Sequence, residues 1–113
     1  MKIIFSVTEN KGKQSIVDAR FGRAAGFFLF DEENDSGTWI DNTSNMNAAG
    51  GAGVQAGQAV VSSGADVYIG PQLGPKAMSV LSMSKVQLFE GVPGKTVEEN
   101  IELYKAGKLL KIR

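Results

Sequence analysis

The chain of 113 residues contains no cysteine and no histidine. Disulfides, thiolate clusters, imidazole metal ligation and Cys or His catalysis are excluded together, and with them a zinc or iron–sulfur site held by side chains in the usual way. Net charge is also lacking, because 12 basic residues balance 12 acidic ones. A general binder of nucleic acid or of a membrane surface carries a basic excess, so neither partner is expected and any anion site must be local. No apolar run approaches the roughly 20 residues that span a bilayer. The opening MKIIFSV is apolar for only a few residues and lacks a signal-peptide core and cleavage site, so a cytoplasmic protein is expected. Internal repeats, linkers and low-complexity tracts are missing too, leaving one domain over residues 1–113.

What is present reads as alternating strands and helices. KIIFSV (2–7) is a short β-branched and aromatic run that suits a buried strand, and the polar 8–20 suits a loop. GFFLFD (26–31) and TWIDNT (38–43) flank the turn-rich EENDSG and predict an antiparallel hairpin, with Trp39 and Asp41 on one face and Ile40 on the other. A helix follows, with Val54, Ala56, Ala59, Val60 and Val61 as its apolar face and Gly64 beyond its end. ADVYIG (65–70) and KVQLFEG (85–91) predict two further strands around a helix that opens at Pro75 and carries a stripe of Ala77, Val80, Leu81 and Ser84. The last helix has the plainest signal: Thr96 and Glu99 form a capping box, Val97, Ile101 and Tyr104 a buried stripe, and Gly107 a stop. The tail KLLKIR suits an added edge strand or a packing strap.

The order β-β-β-α-β-α-β-α predicts an α/β domain with a five-stranded mixed sheet and helices packed on it. A meander reverses twice, so the loops after strands one, three, four and five open on one edge, where open α/β sheets bind ligands. Two glycine-bearing segments lie there. Asn45 to Gly53, with Asn47, Gly50 and Gly51 between them, runs into a helix start whose unpaired N–H groups suit an anion. Close packing of the helix on the sheet explains the same small residues equally well. The second segment carries Gly70, Gln72 and Gly74 before Pro75, a cradle or simply a tight strand-to-helix turn. Neither fits a Walker A or dinucleotide-binding pattern. Arg20 and Arg23, around Phe21 and Gly22, supply a positive rim. The carboxylates are scattered and the first strand carries none, so a nuclease or other hydrolase lacks its acids and bases, and no enzyme activity is expected.

VDARFGRAAGFFLFD, NAAGGAGVQAGQAVVSSGADVYIGPQLGPKA and GKTVEENIELYKAGKL occur in this order over nearly the whole chain. In these stretches the sequence resembles the dinitrogenase iron–molybdenum cofactor biosynthesis family. The resemblance implies a ribonuclease H-like fold and a nitrogen fixation-related role: binding or carrying an anionic metal–sulfur cluster, such as an iron–molybdenum cofactor or a molybdenum–sulfur unit, and exchanging it with donor or acceptor proteins. It places Arg20, Phe21, Gly22 and Arg23 in one family element, Gly50, Gly51 and Gly53 in a second, and Gly70, Gly74 and Pro75 in a third. Cluster-binding members tied to nitrogenase are expected to use histidine or cysteine, and this chain has neither. The implied cluster would be held by backbone N–H groups and arginine, without direct metal ligation. The alternative is a regulatory or protein-interaction module of the same fold that binds no cluster. A monomer or weak homodimer is expected.

Overall fold

The computed structural model describes residues 1–46 and 50–113. Strand β1 (Lys2–Val7) is followed by a 3₁₀ turn at Gly12–Gln14, β2 (Gly26–Asp31), β3 (Ser36–Asp41), the single-turn helix α1 (Thr43–Met46) and α2 (Ala52–Ser62). Then come β4 (Val67–Gly70), α3 (Pro75–Leu81), β5 (Gln87–Glu90), α4 (Val97–Lys105) and β6 (Leu110–Lys111). The sheet order is β3-β2-β1-β4-β5-β6. β1, β4 and β5 are mutually parallel, while β2, β3 and β6 join as antiparallel neighbours.

The central position of β1 explains why it is apolar from Ile3 to Val7 except at Ser6, since both of its faces are covered. Ile3, Phe5 and Val7 point to one face, where Phe28, Phe30, Val67 and Ile69 meet Val97 and Ile101 of α4. Ile4 points to the other, where Phe27, Tyr68 and Leu88 meet Ala56 and Val60 of α2 and Ala77 and Leu81 of α3. Gly57 lets α2 and α3 approach closely: a Cβ there would stand 3.3 Å from Val80 Cβ.

The structure corrects several details. The sheet has six strands, not five, because the tail folds back and pairs Leu110 and Lys111 with Glu90 and Phe89. The hairpin strand spans 36–41 and not 38–43, since the Asp41 carboxylate accepts from the Thr43 N–H and hydroxyl and starts α1. The buried stripe of α2 is Ala52, Ala56, Gly57 and Val60, leaving Val61 41% exposed. α3 stops at Leu81, so Ser84 lies beyond it and donates back to the Leu81 carbonyl at 2.7 Å. Trp39 and Ile40 do pack on opposite faces.

The capping box of α4 is complete: Thr96 Oγ1 accepts from the Glu99 N–H at 3.1 Å, and Glu99 Oε1 accepts from the Thr96 N–H at 2.9 Å. The bonds from the Thr96 backbone and hydroxyl lower the Glu99 carboxyl pKa. A lowered carboxyl pKa stabilises the fold above the ordinary carboxylate range, and this contribution fades as pH falls through the lowered value. Thr96→Ala is expected to cost about 1 kcal/mol in thermal or urea unfolding at neutral pH. The cost should shrink in acid.

Candidate functional site

The parallel relation of β1, β4 and β5, and of β3 to β1 through two reversals, puts four connections at one edge of the sheet. Three of them close around a cleft of about 560 Å³, bounded by residues 21–23, 51–53 and 74–77, with Gln72.

The first wall is the segment after β1. Ser6, fully buried on β1, donates its hydroxyl to the Arg20 carbonyl at 2.7 Å and fixes where the segment turns. Phe21 is buried, with its ring 5.5 Å from Tyr68 edge-on and 5.6 Å from Phe27. Gly22 then lies against the start of α2: a Cβ there would be 2.9 Å from the Ala52 carbonyl carbon and 3.0 Å from the Gly53 nitrogen. No residue but glycine allows that approach without displacing backbone.

The second wall is the start of α2. Its N-cap, Gly51, takes φ +74° and offers no side-chain cap. The first backbone bond of the helix is Gln55 N–H to Gly51 O at 3.0 Å, so the N–H groups of Ala52, Gly53 and Val54 precede the helical ladder. They and the positive end of the helix dipole favour an anion.

The third wall is the β4–α3 turn. Tyr68 is fully buried, and desolvation raises its pKa well above the ordinary phenol range, keeping it a neutral donor. Its hydroxyl donates to the Pro71 carbonyl at 2.8 Å and props the turn from beneath. Gly70 makes room for this strut, since a Cβ there would be 2.5 Å from Tyr68 Oη. Tyr68→Phe is expected to cost about 1 kcal/mol in thermal unfolding by leaving the buried Pro71 carbonyl unpaired.

Of the residues singled out from sequence, the structure brings Phe21, Gly22, Arg23, Gly51, Gly53, Gln72 and Gly74 together around the cleft. It places Arg20 elsewhere: the guanidinium bonds the buried Asp18 carboxylate at 3.2 and 3.3 Å and is not part of the lining. Hydrogen bonding to Asp18, with its charge, raises the Arg20 pKa and holds the side chain in that pair. Asn45 is buried beneath the cleft, Gly50 is exposed outside its lining, and Gly70 sits in β4. Asn47 lies outside the described residues.

Two contributors escaped the sequence reading. Lys76 lines the cleft from α3, where its place just after Pro75 was the available signal. Asn42, buried at the end of β3, donates to the carbonyls of Gly22 at 3.0 Å and Ala24 at 2.9 Å. Among the described residues the lining therefore holds two cations, Arg23 and Lys76, and no carboxylate. Arg23 also donates to the Met46 carbonyl at 2.8 Å. Among the described residues no cluster of carboxylates could hold a bare metal ion. Charge and donors suit a whole anion rather than a coordinated cation.

Among solved structures, the apo form of the orange protein from Desulfovibrio gigas is 30% identical, with 97% of this chain and 91% of that one aligned and a TM-score of 0.89. An NMR structure of a putative NifB protein from Thermotoga is 28% identical, with 98% and 92% aligned and a TM-score of 0.80. No curated protein sequence matches the chain. The family model described as dinitrogenase iron-molybdenum cofactor matches residues 1–107, and the chain belongs to that family.

Proposed function

We propose that this protein is a non-enzymatic carrier that binds an anionic metal–sulfur cluster, or a molybdenum-containing precursor of one, as cargo in the cleft between the β1–β2 segment, α2 and α3. The observation that carries this reading is the lining: two cations and an uncapped helix start border a space of about 560 Å³ whose described lining residues include no carboxylate. A preformed sulfur-rich anion needs no metal ligand from the protein. Peptide N–H groups and cations can hold its sulfides from outside, which fits a chain without cysteine or histidine. The predominantly small and apolar walls suit a polarisable anion better than a strongly hydrated one.

Membership of the iron-molybdenum cofactor family and likeness to a protein solved in an apo form support the same reading. The order β3-β2-β1-β4-β5 supports a ribonuclease H-like ancestry for the sheet, without nuclease chemistry, since the described lining residues include no carboxylate to hold a catalytic metal. Among the described residues no helix is long and apolar enough to cross a membrane, in keeping with a carrier that exchanges cargo with donor and acceptor proteins in the cytoplasm.

The test is anaerobic incubation with tetrathiomolybdate followed by gel filtration, with metal analysis of protein purified anaerobically from its native host. Co-migration of the charge-transfer absorption with the protein at about one molybdenum per chain is expected. Absence of co-migration, together with only traces of molybdenum and iron in the native protein, would favour an interaction module that binds no cluster.

A further inference from the structure

Beneath the cleft lies a pair of asparagines that never reaches its surface. Asn42 and Asn45 are 6% and 8% exposed, and neither is part of the lining. Their side chains are joined by a bond from Asn45 Nδ2 to Asn42 Oδ1 at 3.1 Å. Asn42 Nδ2 donates to the Gly22 and Ala24 carbonyls, and its backbone N–H donates to the Ala25 carbonyl at 3.0 Å. Asn45 Nδ2 donates to the Ala52 carbonyl at 2.8 Å, across to the first residue of α2. One buried unit thus grips two walls of the cleft by their carbonyl groups.

The peptide bonds of the described residues are trans, and in a trans peptide the N–H points opposite to the C=O of the same plane. Drawing the Gly22 carbonyl toward Asn42 therefore turns the Arg23 N–H the other way. The Ala52–Gly53 peptide is aligned by the α2 ladder, and the bond from Asn45 to the Ala52 carbonyl reinforces that alignment, with the Gly53 N–H directed the other way. Gly22, Arg23, Ala52 and Gly53 line the cleft and the asparagines do not, an arrangement that fits N–H groups turned away from the pair and toward the cleft.

We infer that Asn42 and Asn45 are positioning residues: they orient the Gly22–Arg23 and Ala52–Gly53 peptide groups so that the N–H groups face the anion. The inference rests on the cargo reading for the identity of the anion, but the orientation itself is a property of the ligand-free protein. Asn42 suits the task because its amide supplies two donors to carbonyls and an acceptor to Asn45, while Asn45 donates to Ala52 and to Asn42 and keeps its own buried Oδ1 without a partner among the described residues. An apolar side chain of the same size would leave the carbonyls of residues 22 and 24 to find other partners, and would remove the second donor from the Ala52 carbonyl, which the α2 ladder already engages.

The test has two arms. In the first, ¹H–¹⁵N residual dipolar couplings are measured on the ligand-free protein and on Asn42→Asp and Asn45→Asp. A carboxylate keeps the shape but loses the donors. At about pH 7.5, Asn45→Asp should change the Gly53 coupling and Asn42→Asp those of Arg23 and Ala25, with the rest of the sheet unmoved. Burial raises the pKa of the new carboxyl, so lowering the pH to about 5 should restore a donor and return the couplings toward wild type. A purely packing role predicts no such recovery. Should an aspartate variant unfold, the same couplings are read on the alanine variant.

In the second arm, tetrathiomolybdate binding is measured on Asn42→Ala and Asn45→Ala, which add no charge, and each should bind about tenfold more weakly. Unchanged couplings, or alanine variants binding within about twofold of wild type, would overturn the inference. If wild type itself fails to bind, the cargo reading falls while the couplings still decide whether the pair sets the peptide orientation.

Discussion

Replacing Gly22 with alanine is expected to lower the unfolding free energy by about 2–3 kcal/mol and to weaken anion binding in the fraction that stays folded. The methyl group would arrive 2.9 Å from the Ala52 carbonyl carbon, 3.0 Å from the Gly53 nitrogen and 3.1 Å from Ala52 Cβ. Two of these neighbours are backbone at the start of α2, so relief requires moving the helix or the β1–β2 segment, not a side-chain tip. Either movement opposes the asparagine pair, which ties residues 22 and 24 to residue 52. For a domain of this size the loss corresponds to a fall of about 8–15 °C in Tm. Gly50→Ala serves as the contrast, because a Cβ there meets nothing within 4 Å. Scanning calorimetry of both variants checks the claim. A Gly22→Ala protein as stable as Gly50→Ala would mean that the close approach of the two walls does not hold.

The second large effect concerns charge. The double variant Arg23→Ala/Lys76→Ala is expected to weaken tetrathiomolybdate binding by about 2–3 kcal/mol, roughly 30- to 150-fold in Kd. Both cations line the cleft and are exposed, so each interaction is screened by water and contributes less than it would in a dry site. Wild-type affinity should fall as salt is raised from about 50 to about 500 mM, and the double variant should show a flatter dependence. Arg20→Ala is the discriminating control. Its guanidinium is engaged by Asp18 away from the lining, so a change of less than about twofold is expected. Equal losses from Arg20→Ala and from the double variant would point to a general surface field in place of a built site.

Arg20 also shows where reading a sequence stops. Its place beside Phe21, Gly22 and Arg23 on the ligand edge followed from strand order, and that edge is where the structure puts the segment. Its partner, Asp18, lies only two residues away, but a short-range pair of this kind depends on the local turn, and nothing in residue type fixes the turn. Gly22 was legible as a special position because glycine beside bulky neighbours signals a tight turn or close approach. Which backbone it approaches is a fact about α2, 30 residues further on.

The capping box of α4 and the opposite-facing Trp39 and Ile40 were readable because their signals are local and periodic. The asparagine pair was not, because buried amides that bond distant carbonyls leave no periodic trace. Asn42 looks like any polar residue at the end of a strand. Lys76 reads as a solvated lysine until α3 is set beside the glycine loop. The sixth strand was ambiguous for a related reason: two residues are too few to show a period, and pairing with β5 decides the matter.

The most direct test of the cargo site is to locate the metal. Crystals grown anaerobically with tetrathiomolybdate and measured across the molybdenum absorption edge should give one anomalous peak per chain, in the cleft between the Gly51–Gly53 helix start, Arg23 and Lys76. A peak elsewhere on the surface with that cleft free of metal, or no peak at concentrations that saturate the protein in solution, would contradict the carrier function proposed for this edge of the sheet.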